Sequence, residues 1–179
     1  KTTLVKKILE DYKNDGIYLN CEIVSVQRGL KLVEPEKIKS FFGNAKIVVL
    51  DEAQKIPNIG LILKVMLDEY PDLQIIATGS SSFELADKVS EPLTGRNFMF
   101  TLYPLSLSEI AGGKGLSAVE SKLERLLRFG SYPEVFLFPD EMAIERLDEI
   151  ASDYLYKDIL AFDGIKKSEV IRSLLELLA

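Results

Sequence analysis

Apolar residues along the first half of the chain alternate between two rhythms, one helical and one of short unbroken runs. Leu4, Val5, Ile8, Leu9 and Tyr12 recur at helical spacing, and Asn14-Asp15-Gly16 ends that stretch. Ile17-Tyr18-Leu19-Asn20 reads as a short strand. A loop then leads to a helix over Pro35–Phe42 that puts Ile38, Phe41 and Phe42 on one face. The run Lys46-Ile47-Val48-Val49-Leu50-Asp51-Glu52 is continuously apolar until it ends in two acids, which suits a strand buried on both faces of a parallel sheet. A helix from Gly60 to Glu69 follows, stopped by Pro71. Leu73–Gly79 repeats the strand pattern and ends in small polar residues. Phe83–Val89 reads as a short helix and Phe98–Leu102 as a further strand, closed by Tyr103-Pro104. Strands and helices alternating at this spacing predict a three-layer α/β fold around a parallel sheet.

After Pro104 the rhythm becomes helical throughout. Val119–Phe129, Met142–Phe162 and Ser168–Leu178 carry helical periodicity, broken by Gly130-Ser131-Tyr132-Pro133 and by Pro139. The chain thus divides into an α/β core over residues 1–105 and a helical region over 106–179. The Leu-rich face of the last helix implies further chain beyond it.

Composition narrows the options. A hydrophobic fraction of 47% and a charged fraction of 28% over 179 residues are those of an ordinary globular protein. The net charge of −6 gives free nucleic acid no general attraction, and Lys114, Lys122, Arg125 and Arg128 form only a modest basic cluster that reads best as a solvated helix face. No apolar run approaches the roughly 20 residues needed to cross a bilayer. The lone Cys21 cannot form an internal disulfide and suits a small buried position in a protein of the reducing cytoplasm. Histidine is absent, which removes His-based triads and His-ligated zinc and leaves carboxylates as general bases.

Four short stretches carry chemistry. Lys1-Thr2-Thr3 opens an amphipathic helix, as the end of a phosphate-binding loop does: the lysine reaches the β- and γ-phosphates and a hydroxyl ligates Mg²⁺. The competing account is that a threonine merely caps the helix. Asp51 and Glu52 end a buried strand where α/β proteins bind ligands, so Asp51 can hold Mg²⁺ and Glu52 can accept a proton from attacking water. The competing account is an acidic exit onto the surface. Ala77-Thr78-Gly79-Ser80 sets a polar residue at the tip of the neighbouring strand, or else forms a simple Gly-Ser turn. Arg96, in Leu93-Thr94-Gly95-Arg96, could neutralise charge on a transferring phosphoryl group or simply be solvated.

Together and in this order, KTTLVKKIL, IVVLDEAQKIP, IIATGSSSFEL, LTGRNFMFTLYPLSLSEI, FGSYPEVF and YLYKDIL resemble the AAA-type P-loop ATPases. The likeness is greatest to the bacterial and archaeal branch in which an AAA core precedes a nuclease-like C-terminal domain. The resemblance implies ATP and Mg²⁺ as ligands. Lys1 and Thr2 match the Walker A lysine and the Mg²⁺-coordinating hydroxyl, with Thr3 beside them. Asp51 and Glu52 match the Walker B pair. Ser80 matches the polar sensor, with Thr78 as second choice, and Arg96 is placed like an arginine finger acting on a neighbouring subunit of a homo-oligomer. An arginine that ion-pairs inside its own domain would not serve that role. The region after Pro104 resembles a helical lid.

The resemblance also implies a Gly-rich loop and a central strand ahead of Lys1. ATP hydrolysis coupled to an attached or partner module is the leading reading. A nucleotide-gated interaction switch and a DNA-associated ATPase with little turnover are its alternatives.

Overall fold

The computed structural model describes residues 1–31, 34–79, 93–154 and 177. The chain forms two compact units, Lys1–Leu102 and Tyr103–Ala179. The first is an α/β unit whose order is α1 (Thr2–Tyr12), β1 (Gly16–Asn20), α2 (Val24–Lys31), α3 (Pro35–Phe42), β2 (Ile47–Asp51), α4 (Ile59–Glu69) and β3 (Gln74–Ala77). The strands pair in parallel in the order β1-β2-β3.

Register and pleat decide what each strand residue faces. Ile17, Val48 and Ile75 lie side by side, as do Leu19, Leu50 and Ala77. These form one face of the sheet and pack with Leu30, Ile38, Phe42, Ile59, Ile62 and Met66 of α2, α3 and α4 in a continuous apolar core. The other face presents Tyr18 beside Val49 and Asn20 beside Asp51. Helix α1 covers this face: a methyl added to Gly16 would stand 2.7 Å from Leu9 Cδ2 and 3.3 Å from Ile47 Cγ2. Every residue of β2 is buried, which is why its sequence is an unbroken apolar run up to Asp51.

The parallel α/β fold and all three described strands fall where the sequence pattern puts them. Helix α2 does not: its stretch reads as loop, because Gly29 interrupts it and only Val26 and Leu30 of its face are buried. That glycine is what lets the neighbouring helix approach, since the Phe41 ring of α3 fills the space where a Cβ would project. The predicted strand Phe98–Leu102 is also a correction. No described strand lies beside it, and Phe98 and Phe100 are 91% and 88% exposed. A strand exists through its ladder, and the outer edge of β3 pairs with nothing among the described residues. The predicted helices Phe83–Val89 and Ser168–Leu178 lie outside the described residues, apart from Leu177.

The second unit contains α5 (Leu107–Ala111), α6 (Leu116–Glu120), α7 (Leu123–Phe129), α8 (Pro133–Leu137) and α9 (Asp140–Tyr154). Helix α5 starts in a reciprocal cap: Glu109 N–H donates to Ser106 Oγ, and Ser106 N–H donates to Glu109 Oε2 at 2.8 Å. The single helix expected over Val119–Phe129 is two, because Ser121 turns its hydroxyl back onto the Ala118 carbonyl (3.0 Å) and the chain restarts at Lys122. Phe129, Val135 and Ala143 form a small core with Phe138, Leu147 and Ile150.

The basic residues on α7 are structural. Arg125 ion-pairs with Asp140 and donates to the Val135 and Phe138 carbonyls, so it closes the C-terminal end of α8. Arg128 reaches the other Asp140 oxygen at 3.4 Å, both guanidinium groups lie over the Phe129 ring, and Lys122 lies over Phe136. Arg125→Lys keeps the charge but loses the planar fork that reaches Asp140 from one nitrogen and the Val135 and Phe138 carbonyls from the other. It should lower the stability of this unit by about 1–2 kcal/mol in urea unfolding. An unchanged midpoint would show that the network contributes nothing.

Candidate functional site

The site forms where α1 begins and the strands end, on the sheet face that α1 covers. Asp51, the last residue of β2, is only 3% exposed, which excludes the surface-exit reading. Three hydroxyls converge on its carboxylate. Thr2 donates to Oδ2 at 2.6 Å and Tyr18 donates to the same oxygen at 2.5 Å, while Thr78 donates to Oδ1. Each comes from a different element: Thr2 from the first turn of α1, Tyr18 from β1, and Thr78 from the residue after β3. Tyr18 reaches Asp51 because the β1–β2 register puts it on the same face, two positions short of Asn20, which pairs with Asp51. Thr2 is the first helical residue and its hydroxyl makes no cap to the helix backbone, so the capping account of Lys1-Thr2-Thr3 does not hold.

Burial pushes the Asp51 carboxyl toward the neutral form. The hydrogen bonds from Thr2, Thr78 and Tyr18 outweigh it and hold the group below the usual carboxylate range. The same contact works the other way on Tyr18, whose phenol is raised to about 12 by burial first and then by the bond and charge of Asp51. Cys21, fully buried just after β1, is also pushed up to about 12, by burial and then by the Asp51 and Glu52 charges, and is an inert packing residue.

Around this carboxylate the backbone is tied across the strand tips. Thr78 N–H donates to the Leu50 carbonyl at 2.9 Å, and Ala53 N–H donates to the Thr78 carbonyl at 2.8 Å. Between them Glu52 adopts the left-handed conformation, φ 55° and ψ 44°, which turns the chain sharply out of β2. Its carboxylate accepts from Gln54 Nε2 at 2.6 Å. The Lys1 ammonium donates to the Gly79 carbonyl, at the loop that leaves β3.

The structure therefore gathers Lys1, Thr2, Asp51, Glu52 and Thr78, and adds Tyr18 and Gln54. Tyr18 carries a legible signal only once the strand register is known. Gln54 stands two residues after Glu52, within easy local reach. Thr3 is exposed on the next position of α1. Ser80 lies outside the described residues. Arg96 is half-exposed and ion-paired with Asp68 of α4 in its own unit, the condition that counts against an arginine finger.

One hydroxyl and one carboxylate side by side, with no group of three or more His, Cys, Asp or Glu among the described residues able to hold a metal, is a poor cage for a fully protein-bound ion. It does fit Mg²⁺, which takes one or two protein oxygens and completes its shell with water and phosphate.

Residues 1–111 match the family described as an AAA domain. The chain belongs to the AAA domain family. Membership in this family implies nucleotide binding. Similar proteins include an uncharacterized protein of Methanocaldococcus jannaschii, MJ1544, 28% identical over 96% of this chain. Another is an uncharacterized protein of Haemophilus influenzae, 23% identical over 73% of this chain. The aligned stretches are 42% and 34% of those relatives' lengths, so the chain spans less than half of each. No solved structure matches. Among the described residues no helix is long and apolar enough to cross a membrane.

Asp51 has its pKa depressed on folding, so its bonds add stability above the unfolded value of about 4 and lose it as pH falls through the folded value. Thr78→Val should therefore destabilise the α/β unit by about 1.5–3 kcal/mol at pH 7, and by clearly less at pH 3. Equal losses at both pH values, measured by urea unfolding, would mean that Thr78 acts by packing rather than through the Asp51 charge.

Proposed function

We propose that this domain binds ATP with Mg²⁺ and hydrolyses it. The observation that carries the reading is the convergence of Thr2 and Thr78 on the ionised, buried Asp51, at the start of α1 and the tips of two parallel strands. Lys1 supplies a cation for the β- and γ-phosphates, at the point where its ammonium now meets the Gly79 carbonyl. Thr2 and Asp51 would hold Mg²⁺, which would supply positive charge to offset the negative charge that develops on the phosphates. Thr2 could do so through an oxygen lone pair while its O–H keeps donating to Asp51 Oδ2. Glu52 takes the proton of the attacking water, and Gln54 fixes the orientation of that carboxylate.

The reading carries with it a Gly-rich loop and a strand ahead of Lys1. Among the described residues the outer edge of β3 pairs with nothing and the Phe98–Tyr103 segment is exposed, which supports a strand pairing there. The helical second unit acts as a lid, and a linked C-terminal module, nuclease-like in the branch this chain resembles, is what turnover would drive. Ser80 is the sensor of this scheme. Arg96 is left out of the catalytic set because of its pair with Asp68. Arg125 and Arg128 of α7 are engaged within their own unit and so lend the DNA-associated alternative no support.

Glu52 favours turnover over a pure binding switch, since a switch needs no general base. In the whole polypeptide, Glu52→Gln should keep ATP affinity within about threefold and cut hydrolysis by about 100-fold or more. Radiolabelled phosphate release and equilibrium ATP binding read the two. Hydrolysis at the unmutated rate would remove Glu52 from the chemistry and leave the switch as the better account.

A further inference from the structure

Asp51 and Glu52 are consecutive, and in an extended strand consecutive side chains leave on opposite faces. For both to serve one bound nucleotide, the chain must turn between them. It turns at Glu52, in the left-handed conformation (φ 55°, ψ 44°) that a glutamate keeps only where its surroundings impose it.

Thr78 imposes it. Its N–H donates to the Leu50 carbonyl at 2.9 Å, and its carbonyl accepts from Ala53 N–H at 2.8 Å. Between these, its hydroxyl donates to Asp51 Oδ1 and accepts from Glu52 N–H at a longer 3.4 Å. One residue thus bonds Leu50, Asp51, Glu52 and Ala53 in succession. Thr2 and Tyr18 also donate to Asp51. Among the described residues, however, only the Thr78 hydroxyl of these three also bonds Glu52. Such a place takes a group that donates and accepts at once, which a serine or threonine hydroxyl does and a valine methyl does not.

We infer that Thr78 is the positioning residue shared by both acids, orienting the Asp51 carboxylate for Mg²⁺ and fixing the turn that presents Glu52 to the attacking water. This rests on the reading of Asp51 as a Mg²⁺ ligand and Glu52 as the base. Thr78 acts through the two acids and not on the nucleotide. Loss of its hydroxyl therefore gives two defects, a weaker hold on Mg²⁺ and slower turnover even when Mg²⁺ and ATP are saturating.

Two measurements on the whole polypeptide test this. One is equilibrium binding of a fluorescent ATP analogue as Mg²⁺ is varied, and again in EDTA. The other is ATP turnover at saturating Mg²⁺ and ATP. Thr78→Val should raise the Mg²⁺ concentration for half-maximal Mg²⁺-dependent binding about tenfold and lower saturated turnover about tenfold, with affinity in EDTA unchanged. Thr78→Ser keeps the hydroxyl and should stay within about threefold of the unmutated protein in both. Full recovery of turnover at high Mg²⁺ would confine Thr78 to Asp51, and an unmoved Mg²⁺ requirement would confine it to Glu52. Either result overturns the shared role, as does a matching loss of affinity in EDTA or equal damage from serine and valine. Asp51→Asn and Glu52→Gln check the underlying reading. If the first leaves the Mg²⁺ requirement unmoved, or the second leaves turnover unmoved, the acids themselves are misassigned. If both behave as assigned and Thr78→Val changes neither measurement, only the role of Thr78 falls. Should Thr78→Val not fold, as judged by its thermal melt, Thr78→Cys takes its place, since a thiol donates and accepts only weakly. It should show both defects at about threefold or more, and no change would overturn the inference.

Discussion

One buried negative charge organises this domain. Asp51 ends the most buried strand of the sheet at a depth where an isolated carboxylate would be neutral or would unfold its surroundings. Its ionisation is sustained by hydroxyls from three separate elements, so the helix start, the edge strand and the loop after β3 are fixed relative to one another through a single side chain. Stability and chemistry are coupled at that point. What holds the fold together there is also what keeps a buried carboxylate charged at the strand tips.

The division of labour between the sheet faces follows from the pleat. Val48 and Leu50 face α2, α3 and α4 and build the core, while Val49 and Asp51 face α1. Among the described residues, the α1 face carries the polar strand-end residues Asn20 and Asp51, and the first turn of α1 meets them there through Thr2. A shift of β1 by one residue would turn Tyr18 away from Asp51 and bury Asn20 in the apolar core. The site is therefore as precise as the strand register.

Much of this was legible before any coordinates. The unbroken apolar run ending in Asp51-Glu52 could hardly be anything but a buried parallel strand, and the helix over Pro35–Phe42 began at a proline and ended at a glycine. Lys1 and Thr2 stand out by residue type and order, as does Thr78, though as second choice to Ser80. The rest failed for identifiable reasons. Helix α2 hid because a glycine demanded by the close approach of Phe41 breaks its pattern. Phe98–Leu102 has the composition of a strand, but composition does not provide a partner. Tyr18 reads as an ordinary aromatic in a strand, since its importance comes from register and not from spacing. The arginines of α7 read as solvated because the sequence does not reveal the carbonyls and Asp140 that occupy them.

The left-handed backbone at Glu52 has a consequence beyond its own turn. L-residues other than asparagine and aspartate rarely occupy that region, and a glutamate there costs about 1–2 kcal/mol against glycine. A designer who optimised this backbone for robustness alone would write glycine or asparagine at that position. The result would be a sturdier copy without the carboxylate that Gln54 holds. The glutamate marks one place where this chain diverges from its own most comfortable sequence.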